Sequence, residues 1–300
     1  MRFLVFGAGA VGSLVGGCLA REHEVTLVAR RAHVDAIRRD GLEVRGRTRL
    51  RTRPRAVASV DEVASEPAPD AVLLTVKSYD TAGAVEALEP FLGVSLFLSL
   101  QNGLGNLEVL AERAERVLGG VTYNGVTFTG PGVVDHAGRG ETVIGPWKGT
   151  HAADAERVAG ALTESHLATG VTPAIAEALW TKAVVNACFN PLTALLRLPS
   201  GALAERPSLE ECCRAIVGEA VAVAATRGVS LDGESLLRRV GEVARATARN
   251  RSSMLQDLER GRRTEIDAIN GAIARLGEEG GLDCPVNRTL TLLVRAAGEG

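Results

Sequence analysis

The 300-residue chain carries almost no net charge and has no C-x-x-C motif. Its 34 Lys+Arg residues nearly balance 36 Asp+Glu residues, which leaves a formal net charge of -2. Nucleic-acid binding draws on a large excess of positive surface charge, so this composition argues against a nucleic-acid partner. The five cysteines are odd in number and contain no C-x-x-C motif, which argues against a disulfide framework and favours a reducing, cytoplasmic compartment.

Long apolar runs are also scarce, and the stretch at residues 3–20 carries no charge. Five glycines make this run a poor membrane helix, and it divides more naturally into a strand, a turn and a helix. No other stretch is long and apolar enough to span a bilayer, so we expect no membrane partner. The five histidines are scattered without ligand-like spacing, and no metal site is predicted.

Short apolar runs alternate with amphipathic stretches as far as about residue 120, which is the rhythm of βαβ units. Beyond the turn at 170–173 only helical periods remain. The predicted fold class is therefore α/β, a Rossmann-type dinucleotide-binding domain at 1–170 followed by an all-α domain at 171–300. The predicted strands cover 3–6, 25–29, 71–76, 95–100 and 117–122, and the predicted second-domain helices cover 174–196, 208–227, 233–250, 264–279 and 287–297.

Two further stretches predict strands at the borders of the sheet. The glycine-rich stretch 122–146 is typical of antiparallel strands added to the sheet edge. Arginines alternate with other residues over 45–55, which indicates an edge hairpin with a solvated face.

A G-x-G-x-x-G motif lies directly after the first predicted strand and opens the first predicted helix. In this setting Gly7 permits a tight turn, Gly9 lets the backbone approach a pyrophosphate, and Gly12 lets the helix lie close to the strand. The motif predicts a dinucleotide site rather than an incidental glycine-rich turn. Its residues are Gly7, Ala8, Gly9, Ala10, Val11 and Gly12.

The end of the second predicted strand indicates which dinucleotide is bound. NAD-selective sites usually place an acidic residue there, but this chain has Ala29-Arg30-Arg31. A guanidinium cannot accept from a ribose hydroxyl, but it can hold a 2′-phosphate through bidentate hydrogen bonds. NADP is therefore the predicted cofactor, with Arg30 as its ligand. The competing interpretation is a solvated surface pair of arginines.

Only three of the basic residues are lysines. Arginine does not release a proton near neutral pH, so each lysine is a candidate for a role that a guanidinium cannot fill. Lys148 lies in a Pro-Trp-Lys-Gly turn and is interpreted as a surface residue, whereas Lys77 ends a predicted strand where ligands of such sheets bind. Lys182 shares one helical face with Asn186 and Asn190, which indicates a polar pocket wall. Buried asparagines that bridge neighbouring helices are the alternative.

Together these residues resemble the ketopantoate reductase (2-dehydropantoate 2-reductase) family over nearly the whole chain. The resemblance implies NADPH-dependent reduction of 2-dehydropantoate to pantoate, a step toward coenzyme A, in a cleft between a Rossmann domain and a helical domain. A paralogous reductase for another 2-oxo acid or ketone, and a non-catalytic NADP-binding sensor, stay open as alternatives. The similar blocks are GAGAVG from Gly7, VKSYDT from Val76, LQNGLGN from Leu100, W-x-K-x-x-x-N-x-x-x-N from Trp180, and NRSSMLQDLERGRRTEID from Asn250.

The resemblance also implies roles for single residues. Lys182 resembles the family's catalytic lysine and Glu265 its active-site glutamate, although helix pattern alone would make Glu265 a solvent-exposed residue. Asp80 stands where relatives commonly carry glutamine, which leaves the strength of the NADPH preference open. The oligomeric state, monomer or homodimer, is also open. Substrate-contacting positions are matched by Asn102, Asn186, Asn190, Asn250 and Ser253, and cofactor-contacting positions by the glycine motif, Arg30, Lys77 and Asn102.

Overall fold

The computed structural model describes residues 1–299, and its helices and strands group into two compact units. The first unit comprises Met1–Gln101 together with Asn106–Ile175. The second unit comprises the chain from Ala176 onward and the short segment Asn102–Gly105. This segment therefore packs with the second unit, although the chain on both sides of it belongs to the first.

Both β-sheets of the described chain lie in the first unit. The strands are β1 (Arg2–Phe6), β2 (Glu24–Val28), β3 (Leu42–Gly46), β4 (Leu50–Thr52), β5 (Arg55–Val57), β6 (Ala71–Leu74), β7 (Leu96–Ser99), β8 (Val117–Thr122), β9 (Gly125–Gly130), β10 (Val133–Gly138), β11 (Thr142–Lys148) and β12 (Thr169–Val171). The strand order of the larger sheet is β12-β11-β8-β7-β6-β1-β2-β5, and that of the smaller sheet is β4-β3-β10-β9.

Helices connect these strands and make up the second unit. Three-residue 3₁₀ turns occur as well, and the one at Ile266–Ala268 lies next to the candidate site. The α-helices are α1 (Ala10–Leu19), α2 (Arg31–Asp40), α3 (Thr81–Ala87), α4 (Asn106–Arg113), α5 (Ala152–Glu164), α6 (Ile175–Leu196), α7 (Ala202–Glu205), α8 (Pro207–Thr226), α9 (Gly233–Ala246), α10 (Ser253–Glu259), α11 (Asn270–Glu279) and α12 (Pro285–Ala297).

The larger sheet confirms the predicted α/β fold class. Its strand pairs are parallel except that of β11 with β8. Strands β6 and β7 are buried along their whole length, because helices cover both faces of a doubly wound sheet. Their sequences are accordingly continuous apolar runs, AVLL and LFLS, rather than alternating ones.

The smaller sheet corrects the prediction for 122–146. Only β11 extends the larger sheet from this stretch, whereas β9 and β10 form a separate sheet with the β3–β4 hairpin. The reason lies in α1, which is buried from Gly12 to Leu19. A side chain at Gly16 would meet Leu27 of the larger sheet, and one at Gly17 would meet Leu42 of the smaller sheet. Helix α1 therefore packs against both sheets, and this burial explains why it carries no charged side chain.

All regular elements among the described residues of the second unit are helices, and residue 300 of the predicted second domain lies outside the described residues. Two predicted helices were too long: the one at 233–250 ends at Ala246, and the one at 264–279 is a 3₁₀ turn before α11 begins. Helices α5, α7 and α10 were not predicted. Among the described residues, no helix has the length and apolar character needed to cross a membrane.

Candidate active site

The glycine-rich loop joins β1 to α1, and its three motif glycines meet different constraints. Gly7 has a φ of 94°, and a Cβ atom there would lie 2.5 Å from Cγ1 of Val76. A Cβ at Gly12 would lie 2.5 Å from Oγ1 of Thr75. At Gly9, in contrast, the nearest protein atom would be 3.8 Å away. Protein packing therefore requires glycine at Gly7 and Gly12, while the space beside Gly9 is open.

The buried side chain of His33 is linked to the same loop by hydrogen bonds through Ser13. The Oγ of Ser13 donates to the carbonyl of Ala8 at 3.1 Å and lies 3.0 Å from Nε2 of His33. Because Nδ1 of His33 accepts from the Gly132 N–H at 2.8 Å, the ring proton is on Nε2, which donates to Ser13. Burial lowers the His33 pKa from 6.5 to about 4, so the ring is neutral. This chain of hydrogen bonds through His33 and Ser13 was not predicted from the sequence.

Three residues that are candidates for binding the cofactor lie just after three neighbouring parallel strands. Gly7 follows β1, Arg30 comes two residues after β2, and Lys77 comes three residues after β6. The carboxyl ends of parallel strands meet at one sheet edge, where ligands of doubly wound folds bind. Arg30 is exposed and extended, whereas Arg31 pairs with Asp35 at 3.3 Å.

A buried polar network orders the segment that carries Lys77. Nε2 of Gln101 donates to the carbonyl of Val76 at 3.1 Å and to Oγ1 of Thr81 at 2.8 Å. Thr81 in turn lies 2.8 Å from Oδ1 of Asn106, the first residue of α4. The similar blocks VKSYDT and LQNGLGN therefore form one structure, which their separation in the sequence did not reveal. Asp80 is exposed at the start of α3.

In the second unit, α6 carries the polar face that the sequence predicts. Asn190 is buried, and Lys182 and Asn186 are partly buried. Burial lowers the pKa of Lys182 from 10.5 to about 8, while the carboxylate of Glu265 acts in the opposite direction and raises it. Glu265 is itself buried, immediately before the 3₁₀ turn at Ile266–Ala268. The expectation of a solvent-exposed helical glutamate from pattern alone was wrong.

The loop that carries Asn102 docks on that same 3₁₀ turn. The N–H of Leu104 donates to the carbonyl of Ala268 at 2.8 Å. Gly103 has a φ of 86°, and a Cβ there would lie 2.6 Å from the Ala268 carbonyl oxygen. Glycine at this position is what lets the loop approach, so Asn102 is placed beside the turn that follows Glu265.

The two remaining candidates lie at the start of α10 and just before it, and both are exposed. Ser253 is the first residue of the helix, and the hydroxyl of its neighbour Ser252 accepts from the Leu255 N–H at 3.1 Å. Ser252 also lies 2.7 Å from Oγ1 of Thr193 on α6. Asn250 accepts from Ser200 through its backbone carbonyl.

Two models of one protein family match the chain. The model of the ketopantoate reductase PanE/ApbA family matches residues 3–149, and the model of the family's C-terminal part matches residues 174–298. The chain is a member of the ketopantoate reductase PanE/ApbA family. This membership confirms the resemblance found in the sequence blocks.

Individual relatives of this reductase family match along the entire chain. The 2-dehydropantoate 2-reductase of Halobacterium salinarum is 44% identical and that of Archaeoglobus fulgidus 41% identical, each with at least 98% coverage of both proteins. Among solved structures, a PanE/ApbA family ketopantoate reductase from Ralstonia eutropha has a TM-score of 0.91 at 36% identity. A ternary structure of D-mandelate dehydrogenase with NADH and anilino(oxo)acetate has a TM-score of 0.94 at 28% identity. Both structures cover 100% of this chain, which covers at least 98% of theirs.

The first unit of this family member fits a dinucleotide cofactor. Gly9 precedes α1 as its N-cap and offers no side-chain cap, and the first turn of the helix has no acidic residue. Its first amide groups are therefore available to an anion, and the helix dipole favours negative charge there. The open space beside Gly9 suits a pyrophosphate, and the exposed guanidinium of Arg30 suits a 2′-phosphate.

Proposed function

We propose that this protein is an NADPH-dependent 2-dehydropantoate 2-reductase that reduces the ketone of its substrate to the hydroxyl of pantoate. The observation that carries the proposal is the electrostatic interaction of Lys182 with the buried Glu265. Lys182 lies on a helix face that also bears Asn186 and Asn190. A sensor of the cofactor needs the glycine-rich loop but has no need for a proton donor. Relatives at 38–44% identity bear the name of this reductase, which supports the same assignment.

The protein's own residues complete the reduction by handling charge and a proton. When bound, NADPH would supply a hydride to the substrate's ketone carbon, which would leave an alkoxide on the carbonyl oxygen. The Lys182 ammonium then transfers a proton from Nζ to that alkoxide, which is a far stronger base. Glu265 holds the ammonium in place, and asparagine side chains offer uncharged donors to the substrate carboxylate. The substrate ketone thus gains one hydride on its carbon and one proton on its oxygen, which gives the product alcohol.

The same proposal assigns the remaining candidates. Residues 1–170 form the NADP-binding domain and residues 171–300 the substrate domain, with catalysis by Lys182 and Glu265. The enzyme acts in the cytoplasm as a monomer or homodimer on a small 2-oxo acid. Cofactor contacts are Gly7, Ala8, Gly9, Ala10, Val11, Gly12, Arg30, Lys77 and Asn102, and substrate contacts are Asn102, Asn186, Asn190, Asn250 and Ser253.

A second candidate substrate is a 2-oxo acid with a bulky aromatic group. The observation in its favour is the high structural similarity to D-mandelate dehydrogenase, whose structure contains NADH. Specificity depends on the pocket rather than on the fold, so both substrates suit the same reductase frame. For this candidate the substrate to test is phenylglyoxylate, the ketone that corresponds to mandelate.

The deciding experiment follows the loss of reduced-nicotinamide absorbance with each pairing of 2-dehydropantoate or phenylglyoxylate with NADPH or NADH. We expect the largest kcat/KM with 2-dehydropantoate and NADPH. Faster turnover of phenylglyoxylate would move the assignment to the second candidate, and tight NADPH binding without turnover of either would indicate a sensor. As a control, Lys182→Ala should lower kcat by roughly two to four orders of magnitude while the protein stays folded.

A further inference from the structure

Helix α6 contains a proline in the segment that carries the candidate catalytic lysine. Pro191 has no N–H, and in a regular helix that N–H would donate to the carbonyl four residues earlier, at Ala187. A buried carbonyl without a donor costs free energy, so an acceptor in the core needs a substitute partner. Ala187 is fully buried and lies one residue beyond Asn186.

The substitute donor is the side chain of Asn270, which is also fully buried. Its Nδ2 donates to the Ala187 carbonyl at 3.1 Å and to Oδ1 of Asn287 at 2.9 Å. Asn287 is anchored in turn, because its own Nδ2 donates to the Glu219 carboxylate at 2.7 Å. Both hydrogens of the Asn270 amide are therefore used, and the side chain has one fixed orientation.

The position of Asn270 in the chain gives this bond a second effect. Asn270 is the first residue of α11 and follows Glu265 by five residues, directly after the 3₁₀ turn at Ile266–Ala268. The bond to Ala187 thus fixes the Glu265 turn against the helix that carries Lys182. The loop bearing Asn102 also docks on this turn through Ala268.

We propose that Asn270 is a positioning residue for the Lys182–Glu265 pair, because it satisfies the Ala187 carbonyl that Pro191 leaves without its helical donor. Asn270 does not touch the reacting atoms and acts through the placement of Glu265. The expected effect on kcat rests on the proposed reductase function. The structural alternative is a buried asparagine pair that only stabilises the helical core.

The test is a double-mutant cycle with Asn270→Ala, Pro191→Ala and both changes together. Asn270→Ala should lower kcat roughly tenfold and leave the KM for NADPH within about twofold, because only the placement of the reacting groups changes. Pro191→Ala restores an N–H that donates to Ala187, so the double variant should recover most of the lost kcat. The matched control is Thr291→Val, since Thr291 is also buried and its hydroxyl donates within α12, to the Asn287 carbonyl at 2.8 Å.

A second readout needs no substrate, because the chain contains only three lysines. Expression with lysine labelled at ¹³Cε gives three side-chain signals, and Lys182→Arg identifies the one that belongs to Lys182. Its titration midpoint should move in Asn270→Ala and return in the double variant, while Thr291→Val should lower Tm and leave the midpoint unchanged. This measurement tests Asn270 even if 2-dehydropantoate proves not to be the substrate.

Several results would overturn the proposal. A double variant with no more activity than Asn270→Ala would show that the Ala187 carbonyl is not the link. Equal effects of Thr291→Val and Asn270→Ala on kcat and on the Lys182 midpoint would leave only a role in stability. If Asn270→Ala alone does not fold, the comparison moves to the Pro191→Ala background, where adding Asn270→Ala should change kcat less than about twofold. A tenfold loss there would contradict the mechanism.

Discussion

At the scale of single residues, the environment of Lys182 sets the pH range of the proposed reaction. Burial lowers its pKa to about 8, and Glu265 limits that decrease. The proposed proton donor is therefore charged at neutral pH and loses its proton as the pH rises past about 8. A lysine in water would keep that proton to higher pH, whereas arginine is too weak an acid for the task.

Replacing Glu265 should move the alkaline limit of activity in a defined direction. In Glu265→Gln the charge that raises the Lys182 pKa is lost, so kcat should begin to fall at lower pH than in the wild type. The measurement is the pH profile of kcat. Asp267→Asn is the matched control, because Asp267 pairs with Arg295 at 2.7 Å and carries the same charge change two residues away. An unshifted profile in Glu265→Gln would refute the electrostatic role.

The arginine pair after β2 offers a matched test of cofactor choice. Arg30→Ala should raise the KM for NADPH by roughly ten- to a hundredfold and leave that for NADH nearly unchanged, because only NADPH carries the 2′-phosphate. Arg31→Ala is the control, since Arg31 pairs with Asp35 within α2. Similar losses in both variants, or equal losses for both cofactors, would assign the preference to general surface charge.

At the scale of secondary-structure elements, His33 connects three parts of the first unit. It lies on α2, accepts from the turn between β9 and β10, and donates through Ser13 to the loop that opens α1. The tilted ring of Phe128 packs against it with centroids 5.0 Å apart. The smaller sheet thereby helps to hold the cofactor loop, which gives it a role beyond covering α1.

This buried histidine should make the free energy of unfolding depend on pH. The folded-state pKa of His33 is about 4, below its ordinary value of 6.5, so the unfolded chain binds a proton at a pH where the folded chain does not. Stability from this group is complete above pH 6.5, decreases as the pH falls toward 4, and amounts to roughly 3 kcal/mol.

Urea unfolding of the wild type and of His33→Gln between pH 7 and 4 measures the effect. The variant should lose less stability on acidification than the wild type. Burial also lowers the pKa of His136, so His136→Gln is the companion variant that accounts for the remaining slope. An identical pH dependence in the wild type and in His33→Gln would show that His33 titrates normally in the folded protein.

Elements with strong local patterns could be predicted from the sequence, and those fixed by distant partners could not. Strands β1, β6 and β7 are continuous apolar runs, so their prediction was confirmed within a few residues. The sheet to which β9 and β10 belong depends on the two-sided burial of α1, which local pattern does not reveal. Helix α11 begins at Asn270, whose hydrogen-bond partner Ala187 lies 83 residues earlier, outside the reach of local pattern.

At the scale of the whole molecule, residues far apart in the sequence serve one proposed reaction. Blocks that begin at Gly7, Val76, Leu100, Trp180 and Asn250 contribute candidates, and family resemblance rather than spacing connected them. Physical reasoning from the residue types alone identified the glycine-rich loop, Arg30 and the polar face of α6 as candidates. It did not identify Glu265, because the preceding Arg262 and Arg263 made a solvent-exposed glutamate the simpler interpretation.

Glycine substitutions separate folding of the whole molecule from binding of its cofactor. Gly9→Ala adds a methyl group that meets no protein atom closer than 3.8 Å, so the variant should fold with a Tm near that of the wild type. The methyl group fills the space proposed for the pyrophosphate, so NADPH should no longer raise that Tm. In the wild type, saturation at 100 times Kd should stabilise the fold by about 2.7 kcal/mol.

Gly12→Ala should show the opposite behaviour, because its methyl group would lie 2.5 Å from Oγ1 of Thr75 and 2.7 Å from the carbonyl oxygen of Gly7. Its Tm should fall even without cofactor. Gly83→Ala is the control, since a Cβ at this position in α3 has nothing within 4 Å, and we expect an unchanged Tm and an unchanged response to NADPH. Thermal unfolding of the three variants with and without NADPH measures both effects together. An NADPH response in Gly9→Ala equal to that of the wild type would place the pyrophosphate elsewhere.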